Sequence, residues 1–413
     1  MPTILRFWVT IVLAALILAA CSDRGARNEE FETALNDGTV SETEEDLIES
    51  VNATQISIGS THSCALRQDG NVYCWGGNHN GEVGNGSHGG IGSTIPMPVL
   101  NINNAIQVSS GFDYSCALLS EGIIKCWGGN YNGQLGDGNF NVEAQPVPVK
   151  VVEIDNAIQV DTGVGHTCAL LSDKTVKCWG QMAFGEVVAL GIDLGGSASA
   201  TPVTVSGVSN VVQISTAHSH NCAVIADGSV KCWGTNQDGQ LGDGTTNDSH
   251  IPVQVSGVTN ATKLYTTGNV SCALLSDQTI KCWGFNDRGQ LGIGNTTTQL
   301  TPVTVDNIDN AIDIADGGQI ADPHICAVLS SKSAKCWGVG RYSQLGTGQV
   351  NDQLKPITVP DLYNVAKITV GDFHTCAALT DGEVYCWGFG GSGALGISDT
   401  DDQIAPTKVI IYK

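Results

Sequence analysis

Seven times along this chain two cysteines stand ten positions apart with a Trp directly after the second, first in "HSCALRQDGNVYCW" at residues 62–75. The pairs are Cys64 with Cys74, Cys116 with Cys126, Cys168 with Cys178, Cys222 with Cys232, Cys272 with Cys282, Cys326 with Cys336 and Cys376 with Cys386. The one cysteine left over is Cys21. An Asn followed by Ala or Val marks the same phase, at Asn52, Asn104, Asn156, Asn210, Asn260, Asn310 and Asn364, at intervals of 50 to 54 residues. Each unit holds four short apolar or β-branched runs bounded by turn residues. In the fourth unit they are "VVQIS" (211–215), "HNCAVI" (220–225), "SVKCWG" (229–234) and "PVQVS" (252–256). No helical period competes. One such sheet cannot bury both faces alone, but neighbours can bury them for each other. The expected fold is all-β, a seven-bladed β-propeller of four-stranded repeats of about 50 residues.

The cysteine spacing fixes a register. Cys64 and Cys74 are symmetric about Asp69, so a turn through Gln68, Asp69 and Gly70 makes Arg67 and Asn71 the closing pair, with Gly70 left-handed. Counting outward, Leu66 faces Val72, Ala65 faces Tyr73 and Cys64 faces Cys74 in a non-hydrogen-bonded pair. Such a pair has its Cα atoms near 4.5 Å, inside disulfide range. Ser63 then faces Trp75, and the other units place Ser115, Thr167, Asn221, Ser271, Ile325 and Thr375 opposite their Trp. A disulfide within each hairpin is the favoured pairing, with links between units or a metal site as alternatives. The nine-residue spacer lacks the short Cys-x-x-Cys knuckle of zinc sites.

The formal net charge is −22, and no Lys/Arg block offers a footprint for nucleic acid, which is not expected as a partner. Residues 1–20 read as an export signal. Arg6 precedes the apolar run "FWVTIVLAALILAA", which is short for a membrane span. Its end, "LAAC", resembles the bacterial lipoprotein signal, which implies lipidation of Cys21. Residues 21–51 read as the lipidated Cys and a disordered tether, with ten acids and two Arg between residues 22 and 50. Residues 52–413 hold the seven repeats, which start near 52, 104, 156, 210, 260, 310 and 364. The expected location is the bacterial cell envelope, exported and lipid-anchored, where disulfides persist.

After each Trp comes a third element, as in "WGTNQDGQLGDGTT" from Trp233, "WGFNDRGQLGIGNT" from Trp283 and "WGGNYNGQLGDG" at 127–138. With "HxCAL" before and "PVxV" after, the chain resembles the regulator of chromosome condensation repeat family. The resemblance spans residues 52–413 and implies a seven-bladed propeller. The family's founding member is a nuclear guanine-nucleotide exchange factor that binds chromatin. The export signal, paired cysteines, acidity and missing basic tail depart from it, so nucleotide exchange is not expected here.

Departures from the repeat length mark where function would sit. The third unit carries extra residues through "QMAFGEVVAL", the sixth through "ADGGQIADP" and the first within 85–95. These fall between the first and second or the third and fourth strands, so all lie on one face of an up-and-down disc. That face is the expected binding face. Its candidate contacts are His79, Tyr131, Phe140, Phe184, Phe285, Arg288, Arg341 and Tyr342, of types enriched at hot spots, with packing under their own loops as the alternative. His62, His166, His220, His324 and His374 precede the first Cys of their units. Tyr114 and Val270 interrupt that series, which reads as packing and hydrogen bonding rather than as metal ligation. Asp316, Asp322 and His324 are a weaker ion candidate in the sixth insertion, and no metal site or cofactor is assigned. Asn130, Asn236 and Asn286 read as turn residues bonding local backbone. "NGQLGDG" lacks the Lys-Ser/Thr of a phosphate loop, and no nucleophile elbow occurs. The expectation is a monomeric, non-catalytic module that binds a protein or other macromolecule, anchored to a membrane through its lipid. The alternative is a hydrolase or lyase of envelope polymers with a site over the central channel.

Overall fold

A computed structural model describes residues 48–181, 198–315, 317 and 323–412. The chain divides into residues 1–49 with 412–413, and residues 50–411, which carry every blade. Blade 1 is built from Ala53–Ile58, His62–Arg67, Val72–Asn78 and Gly90–Pro98, joined in that order as an antiparallel meander. Six more sheets of the same order follow, with first strands Ala105–Ser110, Ala157–Thr162, Val211–Thr216, Ala261–Thr267, Ala311–Ile314 and Val365–Val370.

The central hairpin forms as its turn chemistry dictates. Arg67 N–H donates to Asn71 O (2.9 Å), Gly70 N–H to Arg67 O (3.0 Å), and Asp69 Oδ1 accepts from Asn71 N–H (3.0 Å). Gly70 has φ +81°, a conformation that costs glycine nothing. Leu66 pairs with Val72, Ala65 with Tyr73, Cys64 with Cys74 and Ser63 with Trp75. The same register carries a disulfide through every hairpin. Cys64 is bonded to Cys74, Cys116 to Cys126, Cys168 to Cys178 and Cys222 to Cys232. Cys272 is bonded to Cys282, Cys326 to Cys336 and Cys376 to Cys386. The Cα separations are 4.0–4.1 Å, slightly closer than the ideal register predicts. Cys21 lies outside the described residues.

One boundary differs from the sequence reading. In blade 4 the fourth strand is Ser249–Gln254 rather than 252–256. It starts earlier because Ser249 pairs with Gly234 across a register shift. Residues 53–58 pair with His62–Arg67 inside blade 1, so each repeat builds one blade. The ring closes through loop backbone, as from Ala53 N–H to Gly382 O (3.1 Å), and through side chains. Ser63 Oγ bonds His374 Nε2 (2.8 Å), and Trp75 Nε1–H donates to Ala394 O (2.9 Å).

Those two side-chain contacts typify the seams between blades. All seven of these Trp side chains are fully buried. The indole N–H groups of Trp75, Trp127, Trp179, Trp283, Trp337 and Trp387 cross to a backbone carbonyl in the preceding blade's "GQLG" turn or its equivalent, as from Trp179 to Gln134 O and from Trp283 to Gln240 O (both 2.9 Å). Nearer the axis, each histidine bonds the residue before the next blade's first Cys: His62 with Ser115 (2.8 Å), His166 with Asn221 (2.7 Å), His220 with Ser271 (2.7 Å) and His324 with Thr375. Tyr114 replaces histidine in blade 2 and bonds Thr167 (2.9 Å). Val270 replaces it in blade 5, where the facing position of blade 6 is Ile325, and both are buried in one apolar cluster. The polar seam is either complete or exchanged for an apolar pair.

The inner strands line the channel. Gln55, Gln107, Gln159 and Gln213 each accept from and donate to the backbone of the next blade, as Gln159 does with Ile214 N–H (3.0 Å) and Ile214 O (2.8 Å). At the same position blades 5 to 7 carry Lys263, Asp313 and Lys367. Asp313 bonds Lys263 at 2.6 Å and Lys367 at 2.8 Å, so this arc is ionic rather than amide-linked. The fourth strands are the outer edges, and each contains a proline, such as Pro202, Pro252, Pro302, Pro356 and Pro406, which blocks strand addition by another chain.

Candidate functional site

Within a blade, the connections between strands one and two and between strands three and four emerge on the same side. The long loops therefore share one face, and the Asp-Gly-type turns lie on the other. The long connections are braced from inside. Asn130, fully buried, accepts Leu135 N–H (3.0 Å) and donates to Asn139 O (3.2 Å). Asn78, Asn236 and Asn286 accept the corresponding N–H of Val83, Leu241 and Leu291. These residues thus span five to eleven positions and hold a whole loop, more than a local turn.

On this face the candidate contacts separate into groups. Tyr131 is 51% exposed and Phe140 53%, both on blade 2, where Phe112 adds a third exposed ring. His79 is exposed on blade 1, beside Asn80, whose Oδ1 accepts from Tyr131 Oη–H (3.2 Å). Phe285 is only half-buried and packs against the core of blades 5 and 6. Arg288 reaches from blade 5 to Asp352 of blade 6 (3.2 Å). Arg341 and Tyr342 are exposed on blade 6. Tyr342 meets two rings of blade 7 edge-to-face, Phe373 at 5.1 Å and Phe389 at 5.9 Å, and those two lie 6.0 Å apart. Phe184, Asp316 and Asp322 lie outside the described residues. His324 is fully buried and spent on Thr375.

Sequence reading missed Phe373, Phe389 and two acids. Glu82, 4% exposed, takes the place of the Gln in the "GQLG" turn, and burial raises its pKa. Asp113 belongs to the adjacent blade. Burial, and then the neighbouring Glu82 charge, push its carboxyl up to about 6. Aligning "GEVG" of unit 1 with the other repeats would have exposed the first, and no local motif marks the second. The buried histidines stay neutral. Desolvation pushes His62 and His166 down to about 4 and His220, His324 and His374 to about 3.

Two models of the regulator of chromosome condensation (RCC1) repeat match the chain. One covers residues 69–118, 121–170, 227–274, 282–321, 336–378 and 381–412, and the other 53–82, 105–134, 157–186, 211–240 and 365–394. The chain belongs to this repeat family.

Among curated proteins, the chain is similar to the probable E3 ubiquitin-protein ligase HERC6 of Homo sapiens, 34% identical over 192 residues, 45% of this chain and 19% of that protein. It is similar also to the ultraviolet-B receptor UVR8 of Arabidopsis thaliana, 32% identical over 197 residues, 48% of this chain and 44% of the receptor. The chain spans less than half the length of either. Among solved structures, Prp20p from Saccharomyces cerevisiae superposes with a TM-score of 0.72 at 22% identity, over 83% of this chain and 87% of that one. Human WBSCR16 gives 0.71 at 22% identity, over 83% and 95%. At this identity the likeness speaks to the fold alone, a seven-bladed propeller.

Proposed function

We propose that this RCC1-repeat propeller is a lipid-anchored, extracytoplasmic scaffold that binds a protein through its long-loop face, without catalysis of its own. The observation that carries the reading is the placement of exposed aromatic rings. Of the five large aromatics exposed among the described residues, Phe112, Tyr131, Phe140 and Tyr342 stand on the long-loop face and Tyr363 on the other. Rigid rings on a braced, disulfide-stapled frame cost little ordering entropy on binding. Prp20p is described with binding properties to Gsp1p and histones, and protein binding by that relative supports the same class of use here.

The channel supports the polymer-cleaving alternative less well. Its inner cavity of about 50 Å³ is lined by Gln, Ser and Thr with Asp161, whereas ligand pockets run to roughly 300–1,000 Å³. Asp161 accepts from Thr216 N–H (2.7 Å), and Asp313 is held by two lysines. Lipidation of Cys21 and the tether of residues 21–51 complete the proposal, with several acyl chains holding the propeller at a membrane.

A photo-crosslinking residue placed in turn at positions 131, 342 and 363 of the intact lipoprotein in its own envelope tests the reading. Capture of one species from 131 and 342 is expected, with at least tenfold weaker binding of that purified species to a Tyr131→Ala/Tyr342→Ala propeller. Capture from 363 alone would overturn it.

A further inference from the structure

Glu82 carries a charge its fold position does not use. In blades 2, 4, 5 and 6 the equivalent residue is Gln134, Gln240, Gln290 or Gln344. Its Oε1 accepts the N–H two residues earlier, from Asn132, Asp238, Arg288 or Tyr342, at 2.8–3.0 Å. Glu82 Oε2 does the same for Asn80 N–H at 2.8 Å. One oxygen fulfils the structural role, and an amide would serve as well, so the second carboxylate oxygen and the negative charge are surplus to the turn.

Across the seam stands Asp113, between the first two strands of blade 2. Its Oδ2 accepts from Asn80 Nδ2 at 3.3 Å and its Oδ1 from Gln134 Nε2 at 3.4 Å, both long for bonds to a carboxylate. No described Lys or Arg forms an ion pair with either acid. The charge of the exposed His79 favours the Glu82 carboxylate. Two withdrawn carboxylates sharing a seam repel each other and are poorly hydrated, an arrangement that a cation relieves. Around them the face offers the exposed ring of Tyr131, tied to Asn80, and that of Phe112, next to Asp113 in the chain.

We propose that the seam between blades 1 and 2 receives one Lys or Arg side chain of the protein bound on the long-loop face, its cation between Glu82 and Asp113 and its stem across Tyr131 and Phe112. This rests on the reading that the long-loop face is the binding face. The acid pair supplies charge complementarity, the rings supply apolar and cation–π contact, and the chain's net charge of −22 steers a cationic partner toward it. Other exposed acids meet a cation in open water, where pairing is weak. Here both acids are largely withdrawn from solvent.

N-acetyl-argininamide and N-acetyl-lysinamide are suitable probes, titrated into the oxidised full chain and followed by backbone amide NMR. Saturable shifts are expected at Asn80, Phe112, Asp113 and Tyr131. Glu82→Gln should keep the melting temperature, because four blades fold with Gln there, and weaken probe binding at least tenfold. Asp113→Asn should weaken it likewise. Shifts scattered over exposed acids such as Asp227 and Asp277 and unchanged by Glu82→Gln would overturn the proposal, as would no saturable shift at all. The crosslinking result separates the two readings. Capture from 131 and 342 without probe binding at the seam sinks the seam and leaves the face standing. Capture from 363 alone sinks the face, and the seam proposal with it, whatever the probe does.

Discussion

Treated with a thiol reductant in native buffer, the propeller is expected to keep its seven disulfides, and treated in denaturant it is expected to lose them and fail to refold. Every bridged cysteine is at most 1% exposed, so a reductant thiolate reaches the sulfurs only when a blade opens. Each bridge closes a loop with a sequence separation of 10, worth roughly 2–3 kcal/mol in the chain-entropy model before discounting for the turn that already restricts it. Discounted by half, seven bridges still contribute on the order of 10 kcal/mol, comparable with the whole stability of an ordinary domain. Equilibrium denaturation of the oxidised and reduced chains, followed by Trp fluorescence, checks this. A reduced chain that refolds with an unchanged midpoint would show that packing alone holds the blades. A chain made without its bridges is expected to fail to accumulate in a reducing compartment.

Acid should unfold the ring in a window set by histidine. In the pair of His220 and Ser271 the hydroxyl donates its proton to Gln240 O (2.9 Å) and so accepts from His220 Nε2–H. The same bonding holds for His374 with Ser63, whose hydroxyl donates to Ala394 O (3.0 Å). Nδ1 of all five seam histidines is buried without a partner. A second ring proton would sit there unsolvated, which is why the folded-state values fall to about 3 or 4. The unfolded chain titrates at the ordinary value near 6.5 and takes up protons that the folded ring refuses. Stability is therefore full above about pH 6.5 and falls as pH drops toward 4, by roughly 1.4 kcal/mol per pH unit for each histidine.

Together the five histidines remove on the order of 10 kcal/mol by about pH 4.5. The expected observation is cooperative unfolding near pH 4–5 with uptake of several protons. Exchanging one seam for the pair that blades 5 and 6 already use, His220→Val with Ser271→Ile, should remove about one proton from that uptake. His220→Val alone leaves Ser271 bonded to Gln240 O but its buried oxygen without a donor, and should cost about 1–2 kcal/mol at neutral pH. A proton uptake unchanged by the double exchange would refute the assignment.

Much of the fold was legible because the repeat supplies seven versions of one geometric problem. The symmetry of Cys64 and Cys74 about Asp69 gives the hairpin register, and it holds even where Lys174, Gln278 and Lys332 replace the turn glycine at φ between +62° and +67°. What stayed hidden is whatever depends on two blades at once. Val270 looked like a missing histidine and Ile325 like an oversized residue opposite Trp. Only when blade 5 meets blade 6 do they become one apolar seam. Lys263, Asp313 and Lys367 stand about 50 residues apart and join only at the inner strands. Tyr342, Phe373 and Phe389 come from two blades and three loops. Glu82 differs from Gln134, Gln240, Gln290 and Gln344 by one functional group, and its significance appears only beside Asp113.

The central claim is that each repeat is a self-stapled blade and that seven of them close one ring presenting the long loops on a rigid frame. Peptide mapping of the unreduced protein by mass spectrometry tests it most directly. The account predicts seven links and no others: Cys64 to Cys74, Cys116 to Cys126, Cys168 to Cys178, Cys222 to Cys232, Cys272 to Cys282, Cys326 to Cys336 and Cys376 to Cys386. Free thiols at these positions, or a link between different repeats, would contradict it.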